Sequence, residues 1–306
     1  MPGSDPALTR RQLLVAGAAA AGYAAAAGPV SAAAIQTGSE GLQEGPVQVP
    51  AEGGPMRAYR ARPEGDAALP VVLVVHEIFG LHEYVRDVCR RLARQGYLAL
   101  APDLYQRQGD PAELSDIDAI ISQIVSKVPD AQVMADLDAS LEWARANGGE
   151  DDAAGITGFC WGGRIVWLYA AHRPTLNAGV AWYGRLTGKQ RSQTPQHPLD
   201  LDTDEIAPVL GLYGGADSGI PLESVFAMRK KLTANEIDVQ RRSEIMIFPA
   251  APHAFHADYR GSYRELAARQ GWRRMLEWFE RHGLEAAAAK PSAEAPPPST
   301  GDAAAP

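Results

Sequence analysis

A mostly parallel β-sheet with helices on both faces is the fold class this sequence predicts, and three observations predict it. Pro70-Val71-Val72-Leu73-Val74-Val75-His76 is a continuous apolar, β-branched run, as a central strand buried on both faces requires. The stretch that follows, Tyr84 to Gln95, changes to helical spacing, with apolar residues at Tyr84, Val85, Val88, Cys89 and Leu92. This strand-then-helix order recurs along the chain, which is the pattern of an α/β fold.

The elements follow in order. Val47 to Val49 and Arg57 to Arg62 predict an edge hairpin with Gly53-Gly54 near its turn, ahead of the strand at 70–76. Gly96 ends the helix 84–95, and Tyr97 to Ala101 is the next strand, closed by Pro102-Asp103. Met134 to Ala146 is helical, with Leu137, Leu141 and Trp143 near one face, and Asn147-Gly148-Gly149 stops it. Ala154 to Phe159 is a short strand and Arg164 to Ala171 an apolar helix. Ala178 to Tyr183 and Val209 to Tyr213 are strands. Pro221 to Ala234 is a helix with proline at its start, where the missing N–H costs nothing. Glu244 to Phe248 is the last strand and Tyr263 to Arg281 the last helix. No internal repeat is visible, and one domain over 46–284 accounts for the pattern.

The 306 residues, 46% of them hydrophobic, are enough for a sizeable core. Lys+Arg 29 against Asp+Glu 37, a net charge of −8, argues against a general nucleic-acid binder. With only Cys89 and Cys160, neither a disulfide framework nor a cysteine-rich zinc site is available.

Both ends differ in composition from the domain. Thr9-Arg10-Arg11-Gln12-Leu13-Leu14, an Ala-rich run to about Gly28, and Val30-Ser31-Ala32-Ala33-Ala34 predict a signal peptide over 1–34. The paired arginines predict the twin-arginine (Tat) route, with the Tat translocase as partner during export and a periplasmic or secreted location. The run is rich in Ala and Gly and poor in Leu, so it suits a cleaved signal rather than an anchor, and no stable membrane insertion is expected after cleavage. Residues 35–45 read as a flexible linker, and 285–306, rich in Ala and Pro, as a disordered tail.

The candidate chemistry starts at Gly158-Phe159-Cys160-Trp161-Gly162-Gly163, between a predicted strand and a predicted helix. That context is the G-x-S-x-G nucleophile elbow of the α/β-hydrolase fold, with cysteine in place of serine. At a helix N-terminus the dipole favours a thiolate. The acid of such a triad belongs after a later strand, where Gly214-Gly215-Ala216-Asp217 supplies Asp217. The base belongs between the last strand and last helix, where Pro252-His253-Ala254-Phe255 supplies His253. Imidazole takes the thiol proton, and carboxylate fixes its tautomer and stabilises the imidazolium. A metal site built from Cys160, His76, His82, His253 and His256 is the weaker reading, since no H-E-x-x-H pattern occurs.

These residues resemble the dienelactone hydrolase family, whose type activity is carboxymethylenebutenolidase. The resemblance spans roughly 46 to 283. It rests on His76-Glu77-Ile78-Phe79-Gly80-Leu81, Gly96 to Tyr105, the Cys160 elbow, Trp182-Tyr183-Gly184, Gly214 to Asp217, and His253-Ala254-Phe255. It implies Cys160, Asp217 and His253 as the triad. It also implies that Glu77 contacts the resting thiol and swings away when substrate binds, pairing with an arginine of the following helix, at Arg86. Ile78 and Trp161 are implied as backbone N–H donors to the oxyanion.

The chain departs from the family where substrate carboxylate is held. Ala254 replaces a serine, and His256, Ala257 and Asp258 stand where an arginine is expected. The stretch after Tyr105, through Asp116 and Ile121, is read as lacking the family's other arginine. The insert from Arg185 to Ile206 reads as pocket wall or lid. Arg164, Arg185 and Lys189 read as exposed residues rather than replacement charge. The expectation is a monomeric cysteine hydrolase of a small lactone or carboxylic ester, acting through an acyl-enzyme with no metal or organic cofactor and no nucleic acid. The alternative is a non-catalytic, thiol-redox or ligand-binding protein in which Cys89 is the only possible resolving partner.

Overall fold

The computed structural model describes residues 34–234 and 243–287. The segment 1–34, expected to be a signal peptide, therefore lies outside the described residues except for Ala34, and so does the expected tail beyond Ala287. Eight strands form one sheet in the order β1-β2-β4-β3-β5-β6-β7-β8. The strands are β1 (Leu42–Val49), β2 (Met56–Pro63), β3 (Leu69–Val75), β4 (Leu98–Pro102), β5 (Gly149–Phe159), β6 (Ala178–Trp182), β7 (Val209–Gly214) and β8 (Glu244–Phe248). β1 and β2 pair antiparallel, as do β2 and β4, and all later pairings are parallel. All seven residues of β3 are buried, as its uninterrupted apolar sequence requires of a strand covered on both faces.

Among the described residues six α-helices pack with the strands: α1 (Glu83–Arg94), α2 (Ile117–Gln123), α3 (Asp130–Ala146), α4 (Trp161–His172), α5 (Leu222–Thr233) and, after the last strand, α6 (Glu265–Arg281). Alternate positions of β5 show both faces covered. At Gly155 the neighbours are Phe279 of α6 and Leu284, whereas at Gly158 they are Gly162 and Val166 of α4. α1 shares the α6 face, where Tyr84 meets Phe159 edge-on at 5.6 Å. α3 joins α4 on the other face, where the Tyr169 hydroxyl donates to Asp138 at 2.9 Å. Among the described residues no helix is long and apolar enough to cross a membrane.

The structure moves several expected boundaries. Residues 42–45, read as linker, are the first half of β1, because Leu42 to Gly45 pair with Pro63 to Arg60 in register. Ahead of them the Thr37 N–H donates to Asp87 Oδ1 at 2.5 Å, so the segment is laid down on α1. Composition marks glycine and polarity, but pairing is a tertiary event that overrides it. α4 starts at Trp161 rather than Arg164, so Gly162 and Gly163 lie in its first turn despite their poor helix propensity. α2 was not foreseen. It is only seven residues long, and Asp116 caps it by accepting from the Ala119 N–H at 2.7 Å.

Candidate active site

In a parallel sheet the C-terminal strand ends share one edge, and ligands bind in the crevice there. His76-Glu77-Ile78 leave β3 at that edge, Cys160 leaves β5, Tyr183 leaves β6, Asp217 follows β7 and His253 follows β8. Residues far apart in sequence are thus brought together by topology.

Cys160 caps α4 with φ 56° and ψ −110°. A left-handed conformation in a residue with a Cβ costs about 1–3 kcal/mol. The surroundings hold it there. The Cys160 N–H donates to the Trp182 carbonyl at 3.0 Å, and the Cys160 carbonyl accepts from the Arg164 N–H at 3.3 Å. Backbones close in so tightly that a Cβ on Gly158 would lie 2.4 Å from the Gly162 carbonyl oxygen. One on Gly162 would lie 2.4 Å from that of Val75. The glycines of the elbow are therefore demanded by close approach, and the thiol is lifted off the strand end as a result.

The predicted acid and base meet this thiol. His253 Nε2 is 3.3 Å from Cys160 Sγ, and His253 Nδ1 is 2.7 Å from Asp217 Oδ2. The other oxygen, Oδ1, accepts from the N–H groups of Gly219 at 2.8 Å and Ile220 at 3.1 Å, which fixes the carboxylate plane. Because a carboxylate only accepts, Nδ1 carries a proton and Nε2 faces the sulfur. All three side chains are buried. Burial is the largest influence on His253 and works against its charge, but the Cys160 sulfur and the Asp217 carboxylate outweigh it and raise the imidazole to about 10. The arrangement can therefore hold a thiolate–imidazolium pair.

Glu77 is buried 1% exposed at the same edge, and its Oε2 accepts from the Tyr259 hydroxyl at 2.5 Å. Arg86 does not reach it. Its guanidinium lies on the outer face of α1, 3.9 Å from Glu83 and 5.9 Å from the centre of the Tyr59 ring. Arg260 is the cation near Glu77, and the sequence reading missed it. It is buried, with its guanidinium 4.6 Å from the centre of the Phe79 ring. Burial opposes its charge, yet Glu77 and Tyr259 hold it protonated. The signal was there, seven residues after His253, but the expected position lay at 256–258. Ala254, at φ 57°, begins a run of turns that carries the chain further before it faces the site.

Arg107 lies in the stretch read as lacking an arginine, but it is clamped by Asp136 at 2.7 and 2.9 Å. Arg164, read as exposed, is buried and paired with Asp130 through two bonds of 2.7 Å. It also donates to the Gln196 carbonyl at 2.7 Å, which anchors the insert 185–206 on α4. The histidines are not joined in one cluster: His256 Nδ1 lies 2.5 Å from the Tyr84 hydroxyl, whereas the buried His82 Nε2 has no hydrogen-bond partner among the described residues and burial lowers that ring to about 4. Among the described residues no group of three or more His, Cys, Asp or Glu side chains is arranged to hold a metal ion.

Among the described residues neither the Ile78 nor the Trp161 N–H has an acceptor, although both belong to well-packed segments. Ile78 and Trp161 line a cavity of about 350 Å³ together with Ile121, Val125, Arg185 and Lys189. A second cavity, of about 580 Å³, lies on the other side of α2 and is lined by Phe79, Tyr84, Ile117, Ile120, Tyr259 and Arg260. The insert 185–206 thus forms part of a wall, as expected, while α2 separates the two spaces.

Residues 56–283 match the sequence model of the dienelactone hydrolase family. A "putative carboxymethylenebutenolidase" of Salmonella typhimurium is 54% identical over 263 residues, covering 86% of this chain and 96% of that protein. A "probable 2-oxo-3-(5-oxofuran-2-ylidene)propanoate lactonase" of a Bradyrhizobium species is 33% identical, covering 74% of this chain and 89% of that one. Among solved structures, a "putative dienelactone hydrolase" from Klebsiella pneumoniae subsp. pneumoniae superposes with a TM-score of 0.74 at 54% identity, covering 78% of this chain and 98% of that one.

Proposed function

The chain belongs to the dienelactone hydrolase family, a family of lactone and ester hydrolases, and on that premise we propose that it cleaves a lactone or other carboxylic ester by covalent catalysis at Cys160. The single observation that supports this most is the chain of contacts from Asp217 through His253 to Cys160, set at an elbow beside two N–H groups without acceptors.

The steps follow from the geometry. His253 Nε2 takes the thiol proton, and Asp217 stabilises the imidazolium that results. The thiolate attacks the acyl carbon, a C–S bond forms, and the carbonyl π electrons move onto oxygen. The Ile78 and Trp161 N–H groups donate to that oxyanion. The tetrahedral intermediate collapses with cleavage of the C–O bond, and the imidazolium gives its proton to the departing oxygen. In a lactone that oxygen stays tethered to the acyl group. Water then attacks the thioester while His253 accepts its proton, the C–S bond breaks, and the acid is released. A thioester resists hydrolysis more than an oxygen ester does. Substrates with good leaving oxygens, such as enol esters and lactones, therefore suit this site better than amides.

Glu77 and Arg260 add opposite charges near the thiol, and Tyr259 joins them as a neutral donor to Glu77. With Glu77 held by the Tyr259 hydroxyl, the carboxylate stands clear of His253's path to sulfur. We assign to residues 1–34 the role of a twin-arginine export signal, so that the substrate is met outside the cytoplasm. N-terminal sequencing of the protein from the periplasm, compared with a variant carrying Lys at positions 10 and 11, tests that assignment.

The test of the chemistry is turnover of dienelactone and p-nitrophenyl acetate by the purified protein and by Cys160→Ala. Hydrolysis by the wild type and its loss in the variant is the expected result. Equal turnover by both would remove the mechanism.

A further inference from the structure

His76 takes no part in the steps above, yet it touches both elements that carry the oxyanion donors. Its ring is fully buried at the end of β3. Nε2 accepts from the Leu104 N–H at 3.3 Å, and Nδ1 lies 2.7 Å from the Glu77 carbonyl oxygen. An N–H on one side and a carbonyl on the other allow only one arrangement of protons: the neutral imidazole with hydrogen on Nδ1. Burial, the largest influence on this group, also favours the neutral ring. The same ring stacks on the Trp161 indole, with centroids 5.4 Å apart and planes 15° from parallel, and meets Tyr105 edge-on at 4.5 Å.

The Glu77 carbonyl and the Ile78 N–H belong to one planar, trans peptide unit, so they point in opposite directions. A donor that pins the carbonyl therefore aims the N–H. It also polarises the peptide and makes that N–H a better donor. From this we infer that His76 is a positioning residue for the oxyanion hole, setting the direction of the Ile78 N–H through the Glu77 carbonyl and seating Trp161 through its ring. The inference rests on the proposed role of Ile78 and Trp161 in holding the oxyanion. It adds a reason why a buried imidazole stands there: a phenyl ring would fill the space but leave the carbonyl with only the longer bond from the Gly80 N–H, at 3.3 Å. Glu77, on the same peptide, is then oriented as well, since its side chain leaves the backbone at the pinned unit.

The experiment compares wild type, His76→Phe and His76→Asn on a matched pair of substrates, an oxygen ester and its thionoester, in which sulfur replaces the carbonyl oxygen. Donors aimed at an oxyanion serve sulfur poorly, so the wild type hydrolyses the oxygen ester faster. His76→Phe keeps the stacking surface and loses the donor. It lowers kcat for the oxygen ester roughly tenfold to 10²-fold with KM nearly unchanged, lowers kcat for the thionoester much less, and so narrows the ratio between them. His76→Asn places an amide N–H at the position of Nδ1 and restores most of the ratio. A merely structural loss would depress both substrates together.

If the wild type treats the two substrates alike, the oxyanion hole itself is wrong and the inference falls with it. If the wild type discriminates and His76→Phe discriminates equally, the hole stands and only the role of His76 falls. A further measurement needs no variant. In the ¹⁵N spectrum of protein labelled at histidine, His76 appears as a neutral ring protonated on Nδ1. A proton on Nε2 would overturn the inference whether or not His76→Phe folds.

Discussion

Cys89 and Cys160 are the same residue type, both unpaired and both buried, at 0% and 4% exposure, yet they sit in opposite chemical situations. Cys89 faces the sheet from the middle of α1, and burial pushes its thiol far up. Among the described residues no base is hydrogen-bonded to it to take the proton. Cys160 stands at the turn between β5 and α4, 3.3 Å from an imidazole that Asp217 fixes from behind. Burial by itself thus makes a thiol inert. On the proposed mechanism it becomes a nucleophile where a strained turn and a buried base supply what burial removes. The difference also weighs against Cys89 as a resolving thiol, since it belongs to the core beneath α1.

The largest effect that separates the two is loss of chemistry. Cys160→Ala is expected to lower kcat/KM for an activated ester by roughly 10⁴-fold or more, whereas Cys89→Ala leaves it unchanged. Asp217→Asn comes next, with a loss of roughly 10³- to 10⁴-fold in kcat, because an amide no longer forces the proton onto His253 Nδ1. Steady-state kinetics on p-nitrophenyl acetate checks both.

The elbow is open to a structural test. Gly162→Ala places a Cβ within 2.4 Å of the Val75 carbonyl oxygen and is expected to destabilise the fold by about 2 kcal/mol or more, read from urea unfolding. A tolerated alanine would mean that the turn is looser than described. Cys89→Ala, which only empties part of a packed site, is expected to cost about 1 kcal/mol.

Titration sharpens the contrast further. The His253 imidazole is raised in the folded protein to about 10 from 6.5, so between these values the folded state binds more protons than the unfolded one. Its contribution to stability is complete below pH 6.5 and is lost as pH climbs through about 10. The stability advantage of the wild type over His253→Gln is expected to shrink across that window, measured by denaturation at a series of pH values. An advantage that grows with pH would contradict the ion pair. The smallest effect belongs to Arg86→Ala, expected to stay within about 0.5 kcal/mol of wild type and to keep full activity, since among the described residues its guanidinium meets Glu83 and the Tyr59 ring at the outer face of α1.

Much of this site was readable in the sequence, for physical reasons that can be named. The meeting of Cys160, Asp217 and His253 was legible because strand ends in a parallel sheet recur at predictable places, and glycine marks where backbones must close in. Glu77 and Ile78 came from resemblance and do lie at the same edge. Arg86 also came from resemblance, as partner of a displaced Glu77, and here its guanidinium lies on the outer face of α1 near Glu83, because spacing along a helix fixes which face a residue occupies only once the helix is oriented. Arg260 was missed because a run of turns after Ala254 resets the count from His253. The first half of β1 and all of α2 were hidden for a related reason. The one is made by pairing with β2, and the other is a short capped helix whose apolar residues face cavities on either side.

The most direct measurement is to quench the wild-type protein during turnover of p-nitrophenyl acetate and locate the acetyl group by peptide mass spectrometry. The account predicts one acetyl group, carried as a thioester on the peptide containing Cys160, with Cys89 unmodified and no adduct in Cys160→Ala. Turnover with the acetyl group on another residue, or steady hydrolysis with Cys160 irreversibly alkylated beforehand, would contradict it.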